Sequence, residues 1–112
     1  MRWNELNSVA QLDGIREESK IRPVLIFKHS TRCATSALVL NRIERNWDDV
    51  LSTETNPYFL DLIRYRDISN QIERDYQIHH ESPQAILISN EKVVYDASHF
   101  GIDLNEIRAL IY

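Results

Sequence analysis

A short apolar run between a proline and a polar segment constrains the fold of this 112-residue chain more than any other feature. Val24-Leu25-Ile26-Phe27 directly follows Pro23, and residues 28–32 after it are all polar. A run of four such residues predicts a strand that is buried on both faces, as in a sheet covered by helices on either side. The run therefore favours an α/β architecture.

The rest of the chain alternates between helix-like and strand-like stretches. Helices are predicted over residues 8–19, 33–48, 67–76 and 103–111, and further strands over 58–63, 84–88 and 93–95. The second helix is expected to turn one face to the core, made of Ser36, Leu40, Ile43 and Trp47. Strands joined through helices pair in parallel, whereas the closing two strands predict an antiparallel hairpin. We expect a single domain over residues 1–112, with a central mixed four-stranded sheet flanked by helices, an order similar to that of the thioredoxin fold.

Composition excludes several classes of protein. The net charge of −4 gives no reason to expect nucleic acid or an anionic membrane as partner. One cysteine cannot form an internal disulfide, and with four scattered histidines it lacks the paired spacing of a structural metal site. No apolar stretch approaches the ~18–20 residues that span a bilayer, and no secretory leader is visible. The expected location is the cytoplasm, where thiols stay reduced.

The single cysteine, Cys33, lies where the first buried strand passes into a helix. A helix N-terminus carries unpaired N–H groups and a partial positive charge that favour a thiolate. Lys28, His29 and Arg32 add positive charge nearby, and cysteines in such settings have pKa values of about 3.5–7.5. We expect Cys33 to be a nucleophile with His29 and Arg32 stabilising its thiolate. The alternative is an inert thiol that packs as a small hydrophobic residue.

The segment Cys33-Ala34-Thr35-Ser36 has the spacing of a C-x-x-C motif in which serine replaces the second thiol. Such a site cannot close an internal disulfide, so it forms a mixed disulfide that an outside thiol must resolve. This favours exchange with a low-molecular-weight thiol. We expect Ser36 and Thr31 to contact the substrate, although Ser36 is equally well explained as a helix residue bonded to the backbone.

Pro83 opens the predicted strand over residues 84–88, at the place where the thioredoxin fold has a cis-proline. A cis Ser82-Pro83 bond would turn the backbone of Ser82 toward Cys33, where it could pair with the backbone of a substrate. By base rate alone, a trans bond is expected, because only ~5% of X–Pro bonds in folded proteins are cis.

Several segments of the chain resemble the YtxJ-like monothiol bacilliredoxins. They occur in the family's order and span nearly the whole sequence: Phe27-Lys28-His29-Ser30-Thr31-Arg32-Cys33, Asp61-Leu62-Ile63, Arg66, Ser69-Asn70, His80-Glu81-Ser82-Pro83-Gln84 and Ser98-His99. The resemblance implies a thioredoxin-like fold, Cys33 as nucleophile, Ser82-Pro83 as the cis-proline pair, and bacillithiol as co-substrate without a tightly bound cofactor. One departure is Ala34, where the family commonly has proline. Alanine keeps a good helix former there, so we expect a retained site with an altered redox poise.

Three functions follow as hypotheses. The first is a monothiol thiol–disulfide oxidoreductase that removes bacillithiol, or a similar small thiol, from S-thiolated client proteins through Cys33. The alternative is a redox-sensing or catalytically silent module that binds an extended peptide by main-chain pairing. The third is an iron–sulfur carrier like the monothiol glutaredoxins. It ranks last because their Cys-Gly-Phe-Ser signature is absent, Cys33-Ala34-Thr35-Ser36 standing in its place.

Overall fold

A computed structural model describes residues 1–111 of the chain, with helices packed on both faces of one sheet. The strands are β1 (Asn4–Glu5), β2 (Val24–His29), β3 (Asn56–Asp61), β4 (Gln84–Ser89) and β5 (Lys92–Ser98). The helices are α1 (Gln11–Glu18), α2 (Ala34–Asn46), α3 (Asp49–Glu54), α4 (Arg66–Tyr76) and α5 (Leu104–Ile111), with a 3₁₀ turn at His99–Gly101. No helix among residues 1–111 is long and apolar enough to cross a bilayer.

The sheet has the strand order β1-β3-β2-β4-β5. β3 pairs in parallel with β1 and β2, whereas β4 is antiparallel to β2 and to β5. The predicted mixed sheet and α/β class are confirmed, but the prediction of four strands was wrong. The fifth strand, β1, has only two residues, and both are polar and exposed. A pair this short carries no alternating pattern, so only its pairing with β3 reveals it.

The predicted double burial of the first core strand is confirmed. Val24 and Ile26 pack against the side of the sheet that α1 and α4 cover, whereas Leu25 and Phe27 face α2 and α5. All four side chains are fully buried. β2 also extends two residues beyond the prediction, because Lys28 and His29 pair with β3 and are buried rather than lying in a loop.

The predicted helix over residues 33–48 is α2, which ends at Asn46, and the prediction missed a second short helix, α3, that follows it. Trp47 adopts an extended backbone after α2, and Asp48 then caps α3 by accepting a hydrogen bond from the backbone N–H of Leu51 at 2.8 Å. An N-cap aspartate satisfies an amide that has no partner within its helix, so a new helix starts there. The buried face of α2 is also rotated from the predicted one, since Val39 is buried while Leu40 and Trp47 are only partly so.

Candidate active site

Cys33 stands at the junction between β2 and α2, in the N-cap position of the helix. Its backbone N–H donates to the carbonyl of Ser30 at 3.2 Å, and its carbonyl accepts from the N–H of Ala37 at 3.2 Å. The residue is partly exposed and forms no disulfide. Cys33 is thus a partly exposed residue at the positive end of a 13-residue helix.

Ser36 occupies the place of the second thiol in a C-x-x-C motif and is fully buried. Its Oγ accepts a hydrogen bond from the N–H of Ser30 at 3.1 Å and lies 2.7 Å from Nδ1 of His29. These contacts tie the first turn of α2 to the end of β2. A side chain without exposed surface does not meet a substrate, so the expected substrate contact of Ser36 gives way to a role in positioning the Cys33 turn.

His29 lies between Ser36 and two aromatic rings. Its ring centroid is 6.1 Å from that of Phe27 and 5.3 Å from that of Phe59. Burial lowers the pKa of His29 below its ordinary value of 6.5, against the opposing effect of Asp61 and Glu44. The imidazole is therefore neutral at pH 7 and does not supply the positive charge that the sequence suggested.

The three cations expected around Cys33 are in three different environments. Arg32 is exposed in the turn directly before Cys33. Lys28 is fully buried, with Nζ 3.4 Å from Nδ1 of His80 in the segment before β4. His29 is neutral, so the exposed charge next to the thiol in sequence is that of Arg32.

We expect Ser36→Ala to lower the free energy of unfolding by about 1–3 kcal/mol, because it leaves a buried N–H and a buried imidazole without their partner. Thr55→Val is the matched control. The buried Thr55 hydroxyl has no hydrogen-bond partner within the described residues, so its loss is expected to leave stability unchanged or higher. Urea denaturation measures both. Equal losses in the two variants would contradict the proposed tie between α2 and β2.

Ser82 and Pro83 lie at the same edge of the sheet as the Cys33 turn. Gln84 of β4 pairs with Lys28 of β2 in an antiparallel register, so the residues just before Gln84 lie beside the end of β2. The Ser82-Pro83 peptide bond is cis. The carbonyl of Pro83 accepts from the N–H of His99 at 3.0 Å, which anchors the proline to the turn after β5.

Thr31 is exposed in the turn before Cys33. The two groups expected to contact the substrate, Thr31 and Ser82-Pro83, therefore both lie near the end of β2. Sequence reasoning did not find the contacts of Lys28 with His80 and of His80 with Ser69 on the other face of the sheet. Ser69 and His80 were visible only as parts of the family-like segments, whereas Lys28 was expected to add positive charge near Cys33. Within residues 1–111, no group of three or more His, Cys, Asp or Glu side chains is placed to hold a metal ion.

Comparison with known proteins agrees with this arrangement. The family model described as monothiol bacilliredoxin BrxC matches residues 4–107. A solved structure of a proposed oxidoreductase with a thioredoxin fold is 28% identical, with a TM-score of 0.78 over 94% of this chain and 89% of that one. Thioredoxin of Fasciola hepatica (TM-score 0.71, 17% identity, 99% of this chain and 96% of that one) shares the fold. Thioredoxin of Malassezia sympodialis shares it too (TM-score 0.72, 18% identity, 98% of this chain and 88% of that one).

The matched region contains the Cys33 turn, α2 and the Ser82-Pro83 edge, and the fold is that of thiol oxidoreductases. The chain therefore belongs to the monothiol bacilliredoxin family BrxC and has a thiol redox role on a thioredoxin fold.

Proposed function

We propose that the protein is a monothiol thiol–disulfide oxidoreductase that removes bacillithiol, or a similar small thiol, from protein mixed disulfides. One observation carries the proposal. Cys33, the one cysteine of the sequence, is partly exposed at the start of α2, and the neighbouring resolving position holds the buried Ser36. A site of this kind forms a mixed disulfide and cannot discharge it internally.

The reaction has two exchange steps. The Cys33 thiolate attacks the small-thiol sulfur of the client's mixed disulfide, and the client sulfur leaves as a thiolate that takes a proton from solvent. The bond between Cys33 and the small thiol replaces the one that broke. A second small-thiol thiolate then attacks that sulfur, which yields the small-thiol disulfide and regenerates the Cys33 thiolate.

The surrounding residues have separate tasks in this proposal. The N-terminus of α2 and the exposed Arg32 favour the anionic sulfur. Thr31 and the backbone at Ser82-Pro83 contact the substrate. The buried His29 and Ser36 hold the Cys33 turn in place, and His29 acts there as a neutral group.

The partners follow from the same chemistry. Bacillithiol is the proposed co-substrate on the basis of the family, and S-thiolated proteins are the proposed clients, with no tightly bound cofactor. The cytoplasm is the proposed compartment, because the small thiol must remain reduced there to resolve the adduct. Ala34 after the cysteine is expected to alter redox poise rather than mechanism.

Intact-mass spectrometry tests the proposal. A model protein that carries a bacillithiol mixed disulfide is mixed with the reduced protein, and its glutathione counterpart is run in parallel. We expect Cys33 to gain the mass of the small thiol while the client loses it, faster with bacillithiol than with glutathione. Binding of the client without transfer would instead support a catalytically silent binding module, and equal rates would remove the preference for bacillithiol.

A further inference from the structure

Lys28 is a fully buried cation on β2, the central strand of the sheet. It lies on the same face as the apolar Val24 and Ile26, next to Leu60 of β3 and Gln84 of β4. An apolar side chain would complete this face of the core. Lys28 forms no ion pair with a carboxylate within residues 1–111, so the usual compensation for a buried ammonium is missing.

The partner of Lys28 is the imidazole of His80. Nζ of Lys28 lies 3.4 Å from Nδ1 of His80, and Oγ of Ser69 on α4 lies 3.1 Å from the same nitrogen. An ammonium can only donate, so Nδ1 is the acceptor and the proton of the neutral ring is assigned to Nε2. The backbone N–H of His80 donates to Oε2 of Glu73 on α4 at 2.7 Å.

Residues 77–83 form the segment between α4 and β4, which we call the proline-side segment because it contains the Ser82-Pro83 bond. Gln84 holds it at two further points, since its Nε2 donates to the carbonyl of His79 at 3.1 Å and its Oε1 accepts from the N–H of Glu81 at 3.3 Å. The contacts to residues 79, 80 and 81 leave little freedom for Ser82, which follows directly.

Removing the Lys28 ammonium from water lowers the stability of the fold, and what Lys28 provides in exchange is its contact with His80. Burial lowers the pKa of Lys28 from 10.5 to about 8, with Glu73 opposing and Arg66 adding to the shift. At neutral pH the protein therefore holds a charged group that an apolar residue of similar length would replace with no loss of stability. The role of Lys28 is better sought in the placement of the proline-side segment than in the stability of the core.

We propose that Lys28 is a positioning residue for thiol exchange, which acts through His80 to hold the proline-side segment so that Ser82 lies beside Cys33. This inference rests on the proposed function. Lys28 lies on the opposite face of the sheet from His29 and Ser36, the other two positioning residues. A part-buried contact of Lys28 on one face of β2 and a buried contact of His29 on the other thus set the two sides of the site.

The contact also depends on pH. Burial is the main cause that lowers the pKa of His80 below 6.5, and Lys28 and Arg66 add to it against Glu73 and Glu81. The neutral ring that accepts from Lys28 is therefore present at pH 7. As the pH falls through the lowered pKa of His80, Nδ1 gains a proton, becomes a donor and faces the ammonium of Lys28, so the contact breaks. Exchange slows in acid in every variant because it needs a thiolate, and loss of this contact should make the decline steeper in the wild-type protein.

The test measures kcat/KM for release of a client thiol from its bacillithiol mixed disulfide, together with the melting temperature and the rate of Cys33 alkylation by iodoacetamide. Lys28→Met is expected to lower kcat/KM at least about tenfold, with an unchanged or higher melting temperature and unchanged alkylation. Ile26→Met, on the same strand and face, is the matched control and should retain activity.

Two His80 variants keep the test decisive if Lys28→Met folds poorly. His80→Leu should lose activity as Lys28→Met does. His80→Gln offers an amide oxygen to Lys28, so it should retain activity and decline less in acid than the wild-type protein, since only the loss of thiolate remains. A kcat/KM of Lys28→Met equal to that of the wild-type protein would overturn this inference and leave the proposed function standing. A loss of activity that is accompanied in every variant by a lower melting temperature would do the same. A wild-type protein without exchange activity would overturn the proposed function and the inference with it.

Discussion

The Cys33→Ser variant is expected to lose all transfer of the small thiol, so that client release falls to the uncatalysed rate. A serine hydroxyl is a poor nucleophile toward a disulfide sulfur at neutral pH, and the sequence contains no second cysteine that could replace it. Serine is close to cysteine in size and the site is partly exposed, so the stability should change by less than about 0.5 kcal/mol. Intact mass and a client-release assay measure the loss.

Thr35→Ser is the matched control for Cys33→Ser. It also changes one small side chain in the first turn of α2, but it leaves the thiol in place. The control should keep activity near the wild-type level. Full transfer by Cys33→Ser would rule out the mechanism, because no other group in the sequence can form the covalent intermediate.

Phe27→Ala is expected to lower the free energy of unfolding by about 3–5 kcal/mol. Phe27 is fully buried on β2, and its ring centroid lies 5.9 Å from that of Trp3 and 6.4 Å from that of Phe59. Truncation removes a large apolar area and leaves a cavity beside β3. Since domains of this size have total stabilities of about 5–15 kcal/mol, the variant should be close to unfolding in dilute urea.

Urea denaturation followed by circular dichroism measures the effect of Phe27→Ala. Phe100→Ala is the control, because the same side chain in the 3₁₀ turn is 61% exposed and its removal should change stability by no more than about 0.5 kcal/mol. A loss at Phe27 no larger than that at Phe100 would show that the aromatic cluster around β2 does not stabilise the fold as described.

The fold could be predicted where local patterns are strong. The apolar run over residues 24–27 indicated a strand buried on both faces, and all four side chains have that environment. The alternation of helix and strand signals indicated that β2 pairs in parallel with β3 and that β4 and β5 form an antiparallel hairpin. β1 escaped prediction because two polar residues have no periodicity, and α3 escaped because Asp48 was taken as the end of a helix rather than as the cap of the next one.

For the site, the sequence by itself determined the position of Cys33 between a buried strand and a helix, and the absence of a second thiol. These are local properties of composition and spacing. Only the tertiary structure decided that Lys28 and His29 are buried and that their partners are His80 and Ser36. Burial depends on which helices cover each face of β2, and Lys28 meets His80 across 52 residues of chain. Packing of distant segments removes Lys28 and His29 from water, and this lowers the pKa of each.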